Sequence, residues 1–203
     1  MPDNPTHAAP EGDMHPCARC ATLQRTCCQQ TEILITTGDI ARIAAHTGRS
    51  DFWSLRRPED PEYLEHDPDD PNWRTYTVDE HDRRRMLLRK ESGDCMYLGK
   101  AGCVLPVEVR PLICRLYPFA FNERGLTGMD AHYCPTTVLL ADKPKATMLT
   151  VLGMDPLDGE RWRRTLYQEL REHHELERGR AGGPARNAPA PEVPPTHERV
   201  PST

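Results

Sequence analysis

Cys17-Ala18-Arg19-Cys20-Ala21-Thr22-Leu23-Gln24-Arg25-Thr26-Cys27-Cys28 places four thiols within one short stretch. Two thiolates separated by two residues, as Cys17 and Cys20 are, reach one metal ion, because a tight turn brings their sulfurs to tetrahedral separation. Adjacent side chains point in different directions in most backbone conformations. Cys27 and Cys28 therefore suit two metals, two irons of one cluster, or one ligand beside a supporting thiol. Free cysteine is a common core residue, but packing alone is a poor account of four thiols this close together.

A second group follows at Cys95, Cys103, Cys114 and Cys134, with gaps of seven, ten and nineteen residues. That spacing alone specifies nothing. With the first group it brings the total to eight thiols, enough for two four-thiolate zinc sites, two four-thiolate clusters, or one site with spare thiols. Soft thiolates select zinc, copper(I) and iron–sulfur centres over magnesium or calcium. Such centres need donors and cations nearby, and Arg19, Arg25, Arg110 and Arg115 lie beside the cysteines. A secreted disulfide framework also fits an even count. The N-terminus lacks a basic segment followed by an apolar run, so no signal peptide is visible and a cytoplasmic location is expected, where disulfides are disfavoured.

Of 203 residues, 37% are hydrophobic, 20 are Pro, three are Phe and three are Trp. Few large side chains are available for a core, and a metal site that ties segments together would offset that shortage. The formal net charge of −5 and the absence of a dominant basic face argue against a nucleic-acid partner. Arg83-Arg84-Arg85 and Arg161 to Arg164 sit beside acids and read as solvated faces. No apolar run approaches the ~20 residues of a membrane span.

The expected fold is α+β: a small, irregular, metal-organised domain of short strands and helices, with a C-terminal helix and a disordered tail. Residues 1–14 read as a flexible arm, 15–179 as the metal-binding domain, and 180–203 as a Pro-rich disordered tail. Ile33-Leu34-Ile35 reads as a strand. A helix is expected at about 38–47, capped by Thr37 and stopped by Gly48, with a second short one around Phe52-Trp53. Residues 58–72 carry four prolines among seven acids and read as a surface loop. They lack the ligand spacing of a calcium loop. Arg74 to Val78 and Arg85 to Arg89 read as short, paired strands. Pro111 suits the first turn of a short helix that Pro118 ends. Trp162, Leu166 and Leu170 recur every fourth residue beside Tyr167, which predicts a packed helix over about 158–178, capped by Asp158 and ended by Gly179. His173 and His174 near its end read as structural.

The cysteine order resembles the YkgJ-type cysteine-cluster family, described as a zinc- or iron-chelating domain. The resemblance rests on Cys17-x2-Cys20 with Cys27-Cys28, then Cys95 to Leu98, Cys103-Val104-Leu105, Arg110-Pro111-Leu112-Ile113-Cys114-Arg115, Tyr117-Pro118-Phe119 and Cys134-Pro135. Thr37 to Phe52 is similar to the helix that follows the first cysteines in that family. The match spans about residues 15–136, and the gap from Cys20 to Cys27 is longer than is usual there. The resemblance implies chelation of zinc or iron, the latter as an iron–sulfur cluster, by Cys17, Cys20, Cys27, Cys28, Cys95, Cys103, Cys114 and Cys134, and it implies no reaction.

Three functions compete at this point. One is a non-catalytic or accessory metalloprotein whose cluster organises the fold and a partner surface. Another is a redox or methyl-transfer enzyme acting on a protein partner, since a similar domain occurs in flagellin lysine N-methylases. The chain shows no Gly-rich nucleotide loop and no nucleophile elbow. The last is metal storage or delivery, which needs labile, exposed thiolates.

Overall fold

Thr36 and Asp39 close a reciprocal capping box. Asp39 N–H donates to Thr36 Oγ1 at 2.9 Å and Thr36 N–H donates to Asp39 Oδ2 at 3.0 Å. This satisfies amides that the first helical turn leaves unpaired. The helix it starts, Thr37–Thr47, ends at Gly48 with φ 68, a left-handed conformation that glycine adopts without a Cβ clash. The cap is therefore Thr36, one residue before the expected Thr37. The computed structural model describes residues 26–100, 102–129, 140–141 and 145–181. The expected arm at 1–14, and nearly all of the expected tail, lie outside these.

In chain order the described helices are α1 (Cys27–Gln30), α2 (Thr37–Thr47), α3 (Trp73–Thr77), α4 (Leu112–Leu116), α5 (Met148–Leu152) and α6 (Pro156–Ala181). The strands are β1 (Trp53–Arg56), β2 (Arg84–Leu87), β3 (Leu98–Gly99), β4 (Gly102–Cys103), β5 (Phe119–Asn122) and β6 (Gly125–Met129). They form three two-stranded antiparallel sheets. The α+β expectation of short strands and a long C-terminal helix is met.

Several local expectations are corrected. Trp53 opens a strand, not a helix, and pairs with Leu87 across β1 and β2. Arg74 to Thr77 lie in α3, with Val78 its extended C-cap, and α3 packs on α6 through Trp73 and Tyr76; the β-branched and aromatic pattern there is overridden by that contact. Ile33 to Ile35 runs beside β2 with one bridge, Leu34 to Met86, and Ile35 N–H donates to Arg85 O at 3.1 Å. Residues 58–72 are largely exposed as expected, with a 3-10 turn at Pro61–Leu64, but Asp70 is buried and accepts from the Tyr167 hydroxyl.

Helix α6 begins at Pro156. Asp155, not Asp158, holds its start: Leu157 N–H donates to Asp155 Oδ1 at 2.8 Å and Gly159 N–H to Asp155 O at 3.0 Å. The helix runs through Gly179 to Ala181. Leu166, Tyr167 and Leu170 are fully buried, as the fourfold spacing requires. Glu169 fastens α6 to α2 by a 2.5 Å ion pair with Arg42 and a hydrogen bond from the Thr36 hydroxyl. Near the end of α6, Arg85 meets His173 Nε2 at 2.6 Å and Tyr76 packs edge-on against His174. Both histidines are structural.

The arginine clusters are not simply solvated faces. Arg84 is 3% exposed and lies over the Tyr63 ring at 4.7 Å, and burial pushes its pKa down to about 10. Arg163 is also buried, paired to Glu160 at 2.9 Å and donating to the Glu123 carbonyl. Among the described residues no helix is long and apolar enough to cross a membrane.

Two apolar cores result. One gathers Ile33, Ile35, Ile43, Phe52, Leu87, Cys95, Tyr97 and Leu105; the other gathers Leu112, Leu116, Leu166 and Leu170. Helix α4 joins them. Leu112 and Leu116, four residues apart, share the face packed on α6. Cys114 lies about 200° around from Leu112 at 100° per residue, and packs against the first core.

Candidate metal centre

Each described cysteine is placed by a local device. Thr26 N–H donates to Gln29 Oε1 at 2.9 Å and Thr31 Oγ1 donates to Cys27 O at 2.8 Å, which hold the single turn α1 and fix Cys27 and Cys28. The backbone amide of Cys95 then donates to Cys28 O at 2.7 Å. This bond spans the two cysteine groups. Arg89 reinforces it, donating to Gly93 O at 2.6 Å, to Gln29 O at 3.4 Å and to Thr31 O. Three carbonyls from two segments thus converge on one guanidinium, whose fixed fork suits such multiple donation.

Cys103 sits on β4, paired to Leu98. Cys114 is carried by α4. The positive charge of Arg110 opposes the rise in the pKa of Cys103 and Cys28. Arg110 is anchored by Nε to Leu105 O at 2.9 Å. Arg115, also expected near the sulfurs, instead donates to Arg110 O at 2.7 Å and Glu108 O at 2.6 Å, bracing the loop before α4.

Four of the five described cysteines, Cys28, Cys95, Cys103 and Cys114, belong to one apolar neighbourhood, and Cys27 adjoins Cys28 in α1. All five are free thiols. The Cys28 thiol is held far above its ordinary pKa by the neighbouring Cys27 side chain and by burial. Burial pushes Cys95 up to about 12 and also raises Cys103. Cys114 is raised well above its usual value by burial and then by Cys28, Cys95 and Cys103. Each thiolate would stand in a low-dielectric site beside others of like charge.

As thiolates, Cys28, Cys95, Cys103 and Cys114 would need a counter-charge, and in chemical kind the donor set fits a soft cation. In spacing, no group of three or more His, Cys, Asp or Glu among the described residues is arranged to hold a metal ion. Cys17, Cys20 and Cys134, and the arginines Arg19 and Arg25, lie outside the described residues. The structure thus brings together five of the eight expected ligands as neighbours without closing a chelate among them.

Sequence reasoning missed Arg89 and Asp39. Asp39 is fully buried, and its Oδ1 accepts Leu112 N–H at 3.1 Å, setting the start of the helix that carries Cys114. The Thr36-x-x-Asp39 capping pattern was a visible signal for the residue, though not for this second bond. No family model, no curated protein and no solved structure matches this chain.

Proposed function

We propose that this chain is a cytoplasmic, non-catalytic or accessory metal-binding protein of the cysteine-cluster kind its sequence resembles, holding zinc or an iron–sulfur centre. The observation that carries this reading is the junction of Cys28 with Cys95, which gathers cysteines from four segments in one apolar neighbourhood. Thiols that merely fill a core need no such convergence. Cys28, Cys95, Cys103 and Cys114 would be ligands, with Cys17, Cys20 and Cys134 the remaining candidates. Cys27, next to Cys28 in α1, serves as a further ligand or as its supporting thiol.

The bound cation would supply positive charge that stabilises thiolates and links segments distant in sequence. The chain's own residues do the rest. Arg110 contributes positive charge that favours thiolates at Cys103 and Cys28, Arg89 locks the Cys28 and Cys95 backbones together, and Asp39 positions α4. Burial of Cys114 favours a closed, structural centre over a labile storage site.

The test is metal analysis of protein purified without oxygen or added metal, with its optical spectrum. One or more equivalents of zinc, or of iron with visible thiolate-to-iron absorption, is the expected result. Protein that folds and melts identically with no bound metal would overturn the reading.

A further inference from the structure

The backbone hydrogen bond from Cys95 N–H to Cys28 O, at 2.7 Å, fixes how far apart these two cysteines stand. Ordinary bond lengths then hold their α-carbons within about 6.5 Å of each other, inside the range of about 4.4–6.8 Å that disulfides span. Both side chains pack into the first apolar core, so their sulfurs turn to the same side of the junction. Among the described cysteines this pair alone shares a backbone hydrogen bond. Cys27 precedes Cys28 in α1, Cys103 pairs with Leu98, and Cys114 stands on α4.

Arg89 braces the pair. It bridges to Cys95, and its guanidinium holds the carbonyls of Gln29 and Thr31, just after Cys28, and of Gly93, just before Cys95. Both cysteines are free thiols, Cys28 half-buried and Cys95 buried. Two groups held as neighbours on a fixed backbone react with each other far more readily than with the same groups in solution. A disulfide carries no charge, so it suits an apolar setting that disfavours thiolates.

We propose that, with no metal bound, Cys28 and Cys95 exchange with a small disulfide such as glutathione disulfide and close a reversible cross-link. The Cys28 thiol, the more exposed of the two, gives up its proton and attacks one glutathione sulfur. The glutathione S–S bond breaks, and the first glutathione leaves as a thiolate that takes up that proton. The Cys95 thiol then gives up its proton and attacks the Cys28 sulfur of the mixed disulfide, releasing the second glutathione as a thiol. The two cysteines lose two electrons in total, and one glutathione disulfide is reduced. The cross-link occupies two thiols that the proposed function assigns as ligands, so metal and cross-link exclude each other. That exclusion rests on the metal-binding reading, whereas the cross-link rests on the backbone geometry alone.

The full chain, stripped of metal with a chelator, would be incubated with glutathione disulfide, alkylated and digested with trypsin. Peptide 26–42 joined to peptide 91–100 marks the bond. Cys27→Ser, which leaves one thiol in the first peptide, should keep it. In native buffer this link should exceed every other cysteine pairing at least about tenfold, and in urea that preference should disappear. No such link, a link no more abundant than the others, or the same preference in urea would overturn the proposal. Adding zinc before the oxidant separates the two readings. Protein that binds zinc should form the link at least about tenfold more slowly, and an unchanged rate in zinc-loaded protein would overturn the exclusion. Protein that takes up no zinc and forms the link equally in both arms keeps the cross-link and loses the metal-binding reading.

Discussion

Asp39 Oδ1 accepts the backbone N–H of Leu112 at 3.1 Å across 73 positions of sequence, so the helix of the first apolar core also sets where Cys114 stands. The same carboxylate accepts from Thr36 N–H at 3.0 Å and pairs with Arg42 at 2.7 Å. Asp39→Asn removes one acceptor oxygen and the charge. With the site fully buried, the loss should be about 3 kcal/mol, read as a lower urea midpoint. A midpoint equal to wild type would show that Asp39 does not organise this junction.

Arg89→Ala frees the carbonyls of Gln29, Thr31 and Gly93. The Cys28–Cys95 junction should loosen, so that thiol alkylation at these two positions, followed by mass spectrometry, proceeds at least about tenfold faster, the equivalent of 1.4 kcal/mol of local opening. Arg89→Lys should recover little, because a single ammonium cannot reproduce the fork. Unaltered alkylation rates in Arg89→Ala would rule out the clamp.

Cys114→Ser and Cys27→Ser should differ. Cys114 is deep among the other sulfurs, and its replacement should abolish metal binding and lower the melting temperature sharply, since a structural thiolate site contributes roughly 10 kcal/mol or more of apparent free energy. Cys27→Ser should be milder, reducing affinity by about 10–100-fold if Cys27 supports Cys28 without ligating. Metal per chain and thermal melting under reducing conditions decide it; equal losses would make Cys27 a full ligand.

His173 links pH to the docking of α6. Burial and the Arg85 guanidinium lower its pKa from 6.5, with Arg180 and His174 acting in the same direction and Glu177 opposing. Above 6.5 both folded and unfolded forms are neutral and this histidine makes stability independent of pH. Below 6.5 the unfolded chain takes the proton first, so stability falls as pH drops towards the depressed folded value. His173→Gln should flatten that part of the curve. Urea midpoints between pH 5 and 7.5 measure it, and identical slopes in both proteins would remove His173 from the account.

Gly38 is the close approach of α2 to α6: an added Cβ would fall 2.2 Å from the Glu169 carboxyl carbon. Gly38→Ala should cost about 1–3 kcal/mol through overpacking, since Arg42 and Thr36 hold that carboxylate in place. In a Glu169→Ala background the added cost should vanish. A penalty that persists there would assign it to the backbone and not to the contact.

The elements legible in the sequence were those set by near neighbours. Helix α2 lies between its threonine cap and Gly48, α4 between Pro111 and Pro118, and α6 along Trp162, Leu166 and Leu170. Caps, proline backbone angles and the 3.6-residue period act within a turn or two, so one segment holds the information. Arg74 to Val78 shows the limit: five residues alternate well enough for a strand, and only Trp73 and Tyr76 packing on α6 makes all but Val78 helical. The burial of Arg84 and Arg163 was illegible for the same reason, because their partners are the Tyr63 ring and the Glu123 carbonyl, distant in the chain. The cysteines divide likewise. Their number, softness and close spacing were in the sequence, while the contact of Cys28 with Cys95, and the roles of Arg89 and Asp39, arise from hydrogen bonds to backbone groups. Every residue type carries those groups, so no local pattern marks them and only the tertiary structure selects the partners.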